Sequence, residues 1–291
     1  MKVFTGAATA LITPMKDGIV DLPAFEKLVE FQIERGIDGL VVNGTTGEPT
    51  TMSRAERTLT LKSAIRIAKG KVPVIAGTGS NNTHTVIMYT QEASKLGADA
   101  VLIVTPYYNK CTQAGLVAHY TAVAKAVDIP IIMYNVPSRT GLNMLPSTVL
   151  ELAQVPNIAG VKEASGNISQ IMEIAAGMPK DFALLSGEDA LIYALMACGG
   201  DGVISVASNI VPDFVKGITA EYFAGNLEES RAMQYKMLPL VSALFAEVNP
   251  IPVKYAASLL GLCENELRLP LTPMVKQELM QKELKAFGIN F

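Results

Sequence analysis

The lysine in Ile158-Ala159-Gly160-Val161-Lys162-Glu163-Ala164-Ser165-Gly166 closes a short apolar run just before a glycine-bearing loop. An ammonium in an apolar setting loses hydration that nothing there replaces. Such a lysine reaches outward to water, pairs with a neighbour such as Glu163, or is there for its nitrogen. With Ile158, Val161 and Ala164 around it, the amine is partly desolvated, which favours the free base. A free amine can attack a carbonyl carbon and form a Schiff base.

Other stretches offer groups that suit such chemistry. Asn43-Gly44-Thr45-Thr46-Gly47-Glu48 follows the apolar run Gly39-Leu40-Val41-Val42, and its two glycines bracket two hydroxyls in a tight turn. Exposed backbone N–H groups and hydroxyls suit a carboxylate or an oxyanion. No Gly-Lys-Thr/Ser follows, so this is not a phosphate loop. In Ile131-Ile132-Met133-Tyr134-Asn135-Val136-Pro137-Ser138-Arg139-Thr140-Gly141, Tyr134 sits one strand from Lys162 and Arg139 offers a planar fork for a carboxylate. Simple packing with a wet hydroxyl is the alternative for Tyr134. In Val104-Thr105-Pro106-Tyr107-Tyr108-Asn109-Lys110, consecutive tyrosines point in different directions, so that one can face a site and the other a partner surface. His84 and His119 lie far apart with no Cys/His cluster, so no metal site is predicted. Gly77-Thr78-Gly79 and Gly199-Gly200-Asp201-Gly202 read as glycine turns, and Glu188-Asp189 as a helix start.

These groups need a scaffold, and the apolar runs describe one. Strands are predicted over 4–12, 38–43, 72–76, 99–104, 129–134, 157–162, 182–186 and 202–206. Helices alternate with them over 23–35, 53–69, 82–96, 113–127, 146–153, 167–177, 188–197 and 212–224. Ser53 with Glu56 fits a capping box, and Gly36 and Gly97 fit helix C-terminal positions. Eight such units predict an α/β fold, a (β/α)8 TIM barrel, with an open doubly wound sheet as the alternative. In both, ligands bind where strands end and βα loops begin, which is where Lys162, Tyr134 and the Thr45-Thr46 turn fall. Beyond about residue 225 only helical patterns remain, near 227–246, 250–260 and 273–287, broken by Asn249-Pro250-Ile251-Pro252. The domain reading is therefore a catalytic barrel over 1–224 and a C-terminal helical region over 225–291, with no Ser/Gly linker between them.

Composition narrows the function classes. The chain of 291 residues is 49% hydrophobic and 18% charged, as expected of an ordered globular protein with a large core. A net charge of −3 with no basic run argues against nucleic acid. Cys111, Cys198 and Cys263 are odd in number and widely spaced, which argues against a disulfide framework and for a reducing compartment. Met1 to Ala10 superficially resembles a signal peptide but is too short before Ala10, and reads as a first strand. No apolar run reaches the roughly 20 residues that cross a bilayer. A cytoplasmic protein that binds no membrane is expected.

Taken together and in order, Gly44-Thr45-Thr46-Gly47-Glu48, Tyr107-Tyr108-Asn109, Tyr134 to Gly141, Val161 to Gly166 and Asn249-Pro250-Ile251-Pro252-Val253-Lys254 closely resemble the dihydrodipicolinate synthase family over essentially the whole chain. That family belongs with the pyruvate-dependent class I aldolases, beside N-acetylneuraminate lyase. The resemblance implies a lyase in which Lys162 forms a Schiff base with pyruvate, needing no organic cofactor and no catalytic metal. It implies condensation with L-aspartate 4-semialdehyde to 4-hydroxy-tetrahydrodipicolinate, in the diaminopimelate route to lysine. Thr45, Tyr134 and Tyr108 match the family's proton relay, with Tyr107 or Tyr108 lent across a subunit interface and Tyr107 taken as the interface residue. Thr46, Arg139, Gly187 and Ile204 match substrate-binding positions: Thr46 for the pyruvate carboxylate, Arg139 for the carboxylate of the second substrate, and the Ile204 backbone beside pyruvate. A homotetramer built as a dimer of dimers is implied as well.

Family members often carry a lysine feedback site. Asn81 and Tyr107 match it here, but Pro49, Thr50, Arg54, Arg57 and Thr85 stand where lysine-sensitive members have small polar, histidine and acidic residues. Two arginines near that place repel an ammonium, so weak or absent lysine inhibition is expected. A sister lyase acting on N-acetylneuraminate or a 2-keto-3-deoxy sugar acid would share Lys162 and Tyr134, while Arg139 favours the short carboxylate-bearing aldehyde. A ligand-binding barrel without turnover is the reading from another class.

Overall fold

The computed structural model describes residues 2–291. Eight parallel strands close into a barrel: Gly6–Ala10, Gly39–Val42, Val74–Gly77, Ala100–Val104, Ile131–Asn135, Ile158–Glu163, Ala183–Ser186 and Gly202–Ser205. The first strand closes the ring by pairing with both the eighth and the second. All eight predicted strands are present, and the open sheet is excluded. Their unbroken Val, Ile, Leu and Ala runs fit this, because a parallel strand in a barrel is covered on both faces.

Two apolar layers divide the side chains. Ala8, Val41, Ile75, Leu102, Ile132 and Ile204 fill the interior of the ring, while residues one step out of phase, such as Leu40, Val101, Ile131 and Met133, pack under the helices. The sixth strand carries an irregularity that decides the site. Ile131 pairs with Ile158, but Ile132 pairs with Gly160, so Ala159 is an extra residue on that strand. A bulge of this kind shifts the alternation by one. Ile158 and Val161, three apart, therefore both face the helices, and Gly160 and Lys162 come into phase with Ile132 and Tyr134.

The helices follow the predicted order, with some differences at their ends. Arg54–Ala68 carries the Ser53/Glu56 capping box, and Thr83–Leu96 ends on Gly97 at φ 91. The segment expected as one helix over 188–197 is a 3-10 turn, Asp189–Leu191, followed by Ile192–Ala197. A small hairpin, Met15–Lys16 with Ile19–Val20, and a one-turn helix, Pro137–Thr140, were not expected. Three helices follow the barrel: Leu227–Leu244, Ile251–Leu259 and Gln277–Phe287. The last starts at 277 rather than 273 because the Glu247 carboxylate accepts the Val275 and Lys276 N–H groups and keeps that segment out of the helix. Cys111, Cys198 and Cys263 are free thiols.

Candidate active site

Lys162 and Tyr134 are register partners at the C-terminal ends of adjacent strands, and Lys162 Nζ stands 4.4 Å from the centroid of the Tyr134 ring. Both are buried, at 5% and 7% exposure, so the lysine does not reach for water. Nor does it pair with Glu163, which alternation turns outward. The Glu163 carboxylate accepts from Ser165 N at 2.7 Å, Asn135 Nδ2 at 2.9 Å and Gln170 Nε2 at 3.2 Å. Burial pulls the Lys162 ammonium down to about 8, with the Asp189 and Glu188 carboxylates opposing it. A useful fraction of free amine thus exists near neutral pH. Burial pushes the Tyr134 phenol up to about 12, while Arg139 and the Thr45 hydroxyl favour the phenolate. Tyr134 is accordingly a protonated donor at rest.

The turn after the second strand supplies the hydroxyls. Asn43 at φ 59 and a 3-10 turn, Thr45–Gly47, fold the chain back over the barrel mouth. The close approach of neighbouring loops explains Gly77: a Cβ there would fall 2.1 Å from the Asn43 carbonyl oxygen. Thr13 Oγ1 donates to the Gly47 carbonyl at 2.7 Å and fastens the turn from beneath. Thr46 is buried, and its Oγ1 accepts from Asn249 Nδ2 at 3.0 Å. The same Asn249 uses its carbonyl to accept from the Arg139 guanidinium at 2.9 Å. Arg139 rides on Pro137–Thr140, where Pro137 sits at the first helical position and Gly141, at φ 68, ends the turn.

A cavity of about 300 Å³ opens beside them, lined by Thr45, Tyr107, Tyr134, Val136, Arg139 and Asn249 among others. Lys162 stands against its Tyr134 wall. The volume suits two small substrates. Gly187 packs directly on the lysine stem, and Ile204 is fully buried in the eighth strand. Of the two tyrosines after the fourth strand, Tyr107 lines the cavity and Tyr108, at φ 71, is 91% exposed and turned away from it.

Some residues around the site were not singled out from sequence, or were read differently. Asn249 was noted as a helix break, yet its side chain touches Thr46 and its carbonyl touches Arg139. Glu188 and Asp189 do begin a helical turn, Asp189–Leu191, but the buried Asp189 carboxylate has a further use, accepting from Val206 N at 3.0 Å and Ala207 N at 2.9 Å. The adjacent Gly187 and the Asn249-Pro250 motif were the available signals. Among the described residues, no group of three or more His, Cys, Asp or Glu side chains comes together as a metal cluster.

A closed parallel barrel with a buried lysine at a strand end beside a tyrosine is the architecture of a barrel enzyme, and that pairing suits chemistry of the Schiff-base-forming, class I aldolase type. The Dihydrodipicolinate synthetase family matches residues 3–287, and the chain belongs to that family. It is 50% identical over 289 residues to the 4-hydroxy-tetrahydrodipicolinate synthase of Alkaliphilus oremlandii (strain OhILAs), covering 99% of this chain and 100% of that one. The solved structure of dihydrodipicolinate synthase from Thermotoga maritima superposes with a TM-score of 0.97 at 46% identity, covering 98% of this chain and 99% of that chain. A monomeric dihydrodipicolinate synthase variant superposes with a TM-score of 0.98, also at 46% identity, covering 99% and 98%.

Proposed function

We infer that the chain condenses pyruvate with L-aspartate 4-semialdehyde to 4-hydroxy-tetrahydrodipicolinate, the activity named for its relative at 50% identity. The observation that carries the chemistry is the buried Lys162 amine in register with Tyr134. As free base, Nζ attacks the carbonyl carbon of pyruvate, and loss of water from the carbinolamine leaves an iminium. The iminium draws electrons from the methyl carbon, which gives up a proton and becomes an enamine. Tyr134 is placed to take and return protons, with Thr45 beside it to pass them on. The enamine carbon bonds to the aldehyde carbon of the second substrate, whose oxygen gains a proton. That substrate's own amine then displaces Nζ at the imine carbon, which closes the ring and frees Lys162.

Thr46 and Arg139 are the carboxylate-binding groups in this reading, with Gly187 and the Ile204 backbone bordering pyruvate. Arg139 favours a short carboxylate-bearing aldehyde over a polyol chain. The iminium is itself the electron sink, so neither a metal nor an organic cofactor is required. Intact-mass analysis after borohydride reduction with pyruvate tests the first half, by an adduct mapping to Lys162 and absent from Lys162→Ala. Condensation of the semialdehyde against cleavage of sugar acids tests the second; preferential cleavage of the sugar acids would move the chain to the sister lyases.

The relay is completed in this reading by Tyr108 from a second copy, within a homotetramer. The support is its placement: a phenol 91% exposed outside its own cavity can enter a neighbour's. A fully active monomer in analytical ultracentrifugation at assay concentration would remove this part. Among the described residues no helix is long and apolar enough to cross a membrane, and the proposed location is the cytoplasm. Lysine inhibition is proposed to be weak or absent. Arg57 stacks 4.1 Å from the Tyr89 centroid and donates to the Gly77 carbonyl, and Arg54 is paired with Glu92 at 2.7 Å. Strong inhibition at sub-millimolar lysine would overturn this.

A further inference from the structure

Lys254 and Glu48 form an ion pair at 2.6 Å with side-chain exposures of 0% and 1%, the one fully buried ion pair among the described residues. Neither side chain takes part in the chemistry above. Glu48 directly follows Thr45-Thr46-Gly47 and adopts φ 57, a left-handed backbone that a glutamate adopts only when its surroundings impose it. Its N–H donates to the Thr45 carbonyl at 3.2 Å, and its own carbonyl accepts from Thr51 N at 3.2 Å and Thr51 Oγ1 at 3.1 Å. The Glu48 backbone is thus part of the turn that bears both threonines, while its side chain is anchored 206 residues away in Ile251–Leu259.

The segment that leads into the same helix meets the turn as well. Asn249, five residues before Lys254, donates Nδ2 to Thr46 Oγ1 and holds Arg139 through its carbonyl. With its oxygen accepting from Asn249, the Thr46 hydroxyl has its hydrogen left to donate to a carboxylate. Removing two charges from water costs so much that a buried pair adds little net stability, whereas its geometry is tightly defined. The tightly defined Glu48–Lys254 geometry bears directly on where the turn sits.

We propose that Glu48 and Lys254 are a positioning pair, fixing the Thr45-Thr46 turn against Ile251–Leu259 so that the two hydroxyls meet Tyr134 and the pyruvate carboxylate. This rests on the reaction inferred above and adds the residues that set two of its hydroxyls. It gives the C-terminal helical region a part in turnover as well as in packing.

Glu48→Gln, Lys254→Met and the double variant, each in the full chain, test it. The double variant buries no unpaired charge and is the one best suited to fold. Borohydride trapping with pyruvate counts competent Lys162 sites, and turnover is expressed per trapped site. Folded variants are expected to trap pyruvate yet turn over about tenfold to a hundredfold more slowly per site, with a raised pyruvate KM. A double variant with wild-type turnover per site and wild-type KM would overturn the proposal. Failure of all three variants to fold would overturn it as well, since the pair would then serve the fold alone. Wild-type protein that traps no pyruvate would remove the underlying reaction too, and is seen before any variant is made.

Discussion

The Tyr134 ring lies 4.4 Å from Lys162 Nζ, on the neighbouring strand and in register with it. One side chain therefore has two separable parts: a ring that packs on the amine and a phenol that moves protons. Tyr134→Phe keeps the first and removes the second. Pyruvate should still be trapped on Lys162, while condensation slows by about a hundredfold, the usual contribution of a positioned acid–base group. Stopped-flow or trapping kinetics beside steady-state turnover separates the two, and near-normal turnover in the phenylalanine variant would exclude the phenol from the relay.

Lys162 also predicts a pH dependence. With its ammonium pulled down to about 8, adduct formation should rise with pH and level off above about 8. The stability consequence has a definite sign. Because the folded state binds this proton more weakly than the unfolded chain, whose lysine titrates at 10.5, Lys162 disfavours folding most below about 8, and this effect fades as pH rises toward 10.5. Lys162→Met should be inactive yet more stable at neutral pH, by up to about 3 kcal/mol. Denaturant melts at neutral and at alkaline pH measure the gap; a gap that does not narrow at alkaline pH would assign it to packing.

Gly187 predicts a steric effect confined to the site. A Cβ at this position would lie 2.6 Å from Ala164 Cβ and 3.0 Å from Lys162 Cε. Gly187→Ala must therefore push the lysine stem or its strand end aside. Displacing a reacting group by about an ångström can cost about a hundredfold in rate. The expected variant is folded by circular dichroism and traps pyruvate slowly; wild-type trapping would show that the stem can yield freely.

The barrel was legible because buried parallel strands announce themselves as apolar runs separated by helical periods. Lys162 was legible as a misfit within such a run. Its direction was not, since that depends on Ala159 being an extra residue opposite Ile131 and Ile132, and a bulge leaves no side-chain signature. Glu48 and Lys254 were both quoted in motifs, but nothing local joins residues 206 apart. Asp189 was legible as a helix start, but the partners of its carboxylate, Val206 N and Ala207 N, were not, because they come from the next strand's end. The start of the last helix was misplaced for a similar reason, a carboxylate arriving from Glu247.

Glu56 links that C-terminal region to the turn in a way that acid should reveal. Arg268 binds the Glu56 carboxylate and also donates to the Thr51 carbonyl at 2.8 Å. The Arg268 hydrogen bonds foremost, and those from Ser53 after them, hold the Glu56 carboxyl down at about 2, against 4.5 in the unfolded chain. A depressed carboxyl contributes stability that is fully present above 4.5 and is lost as pH falls through about 2. Glu56→Gln keeps a capping-competent side chain while removing the charge. After discounting for partial solvent screening, wild type should exceed the variant by about 1 kcal/mol at neutral pH. Denaturation midpoints followed downward from pH 4.5 should show the difference closing toward about 2. A difference that persists unchanged at the acid end would assign the contribution to capping and packing instead of to the Arg268 pair.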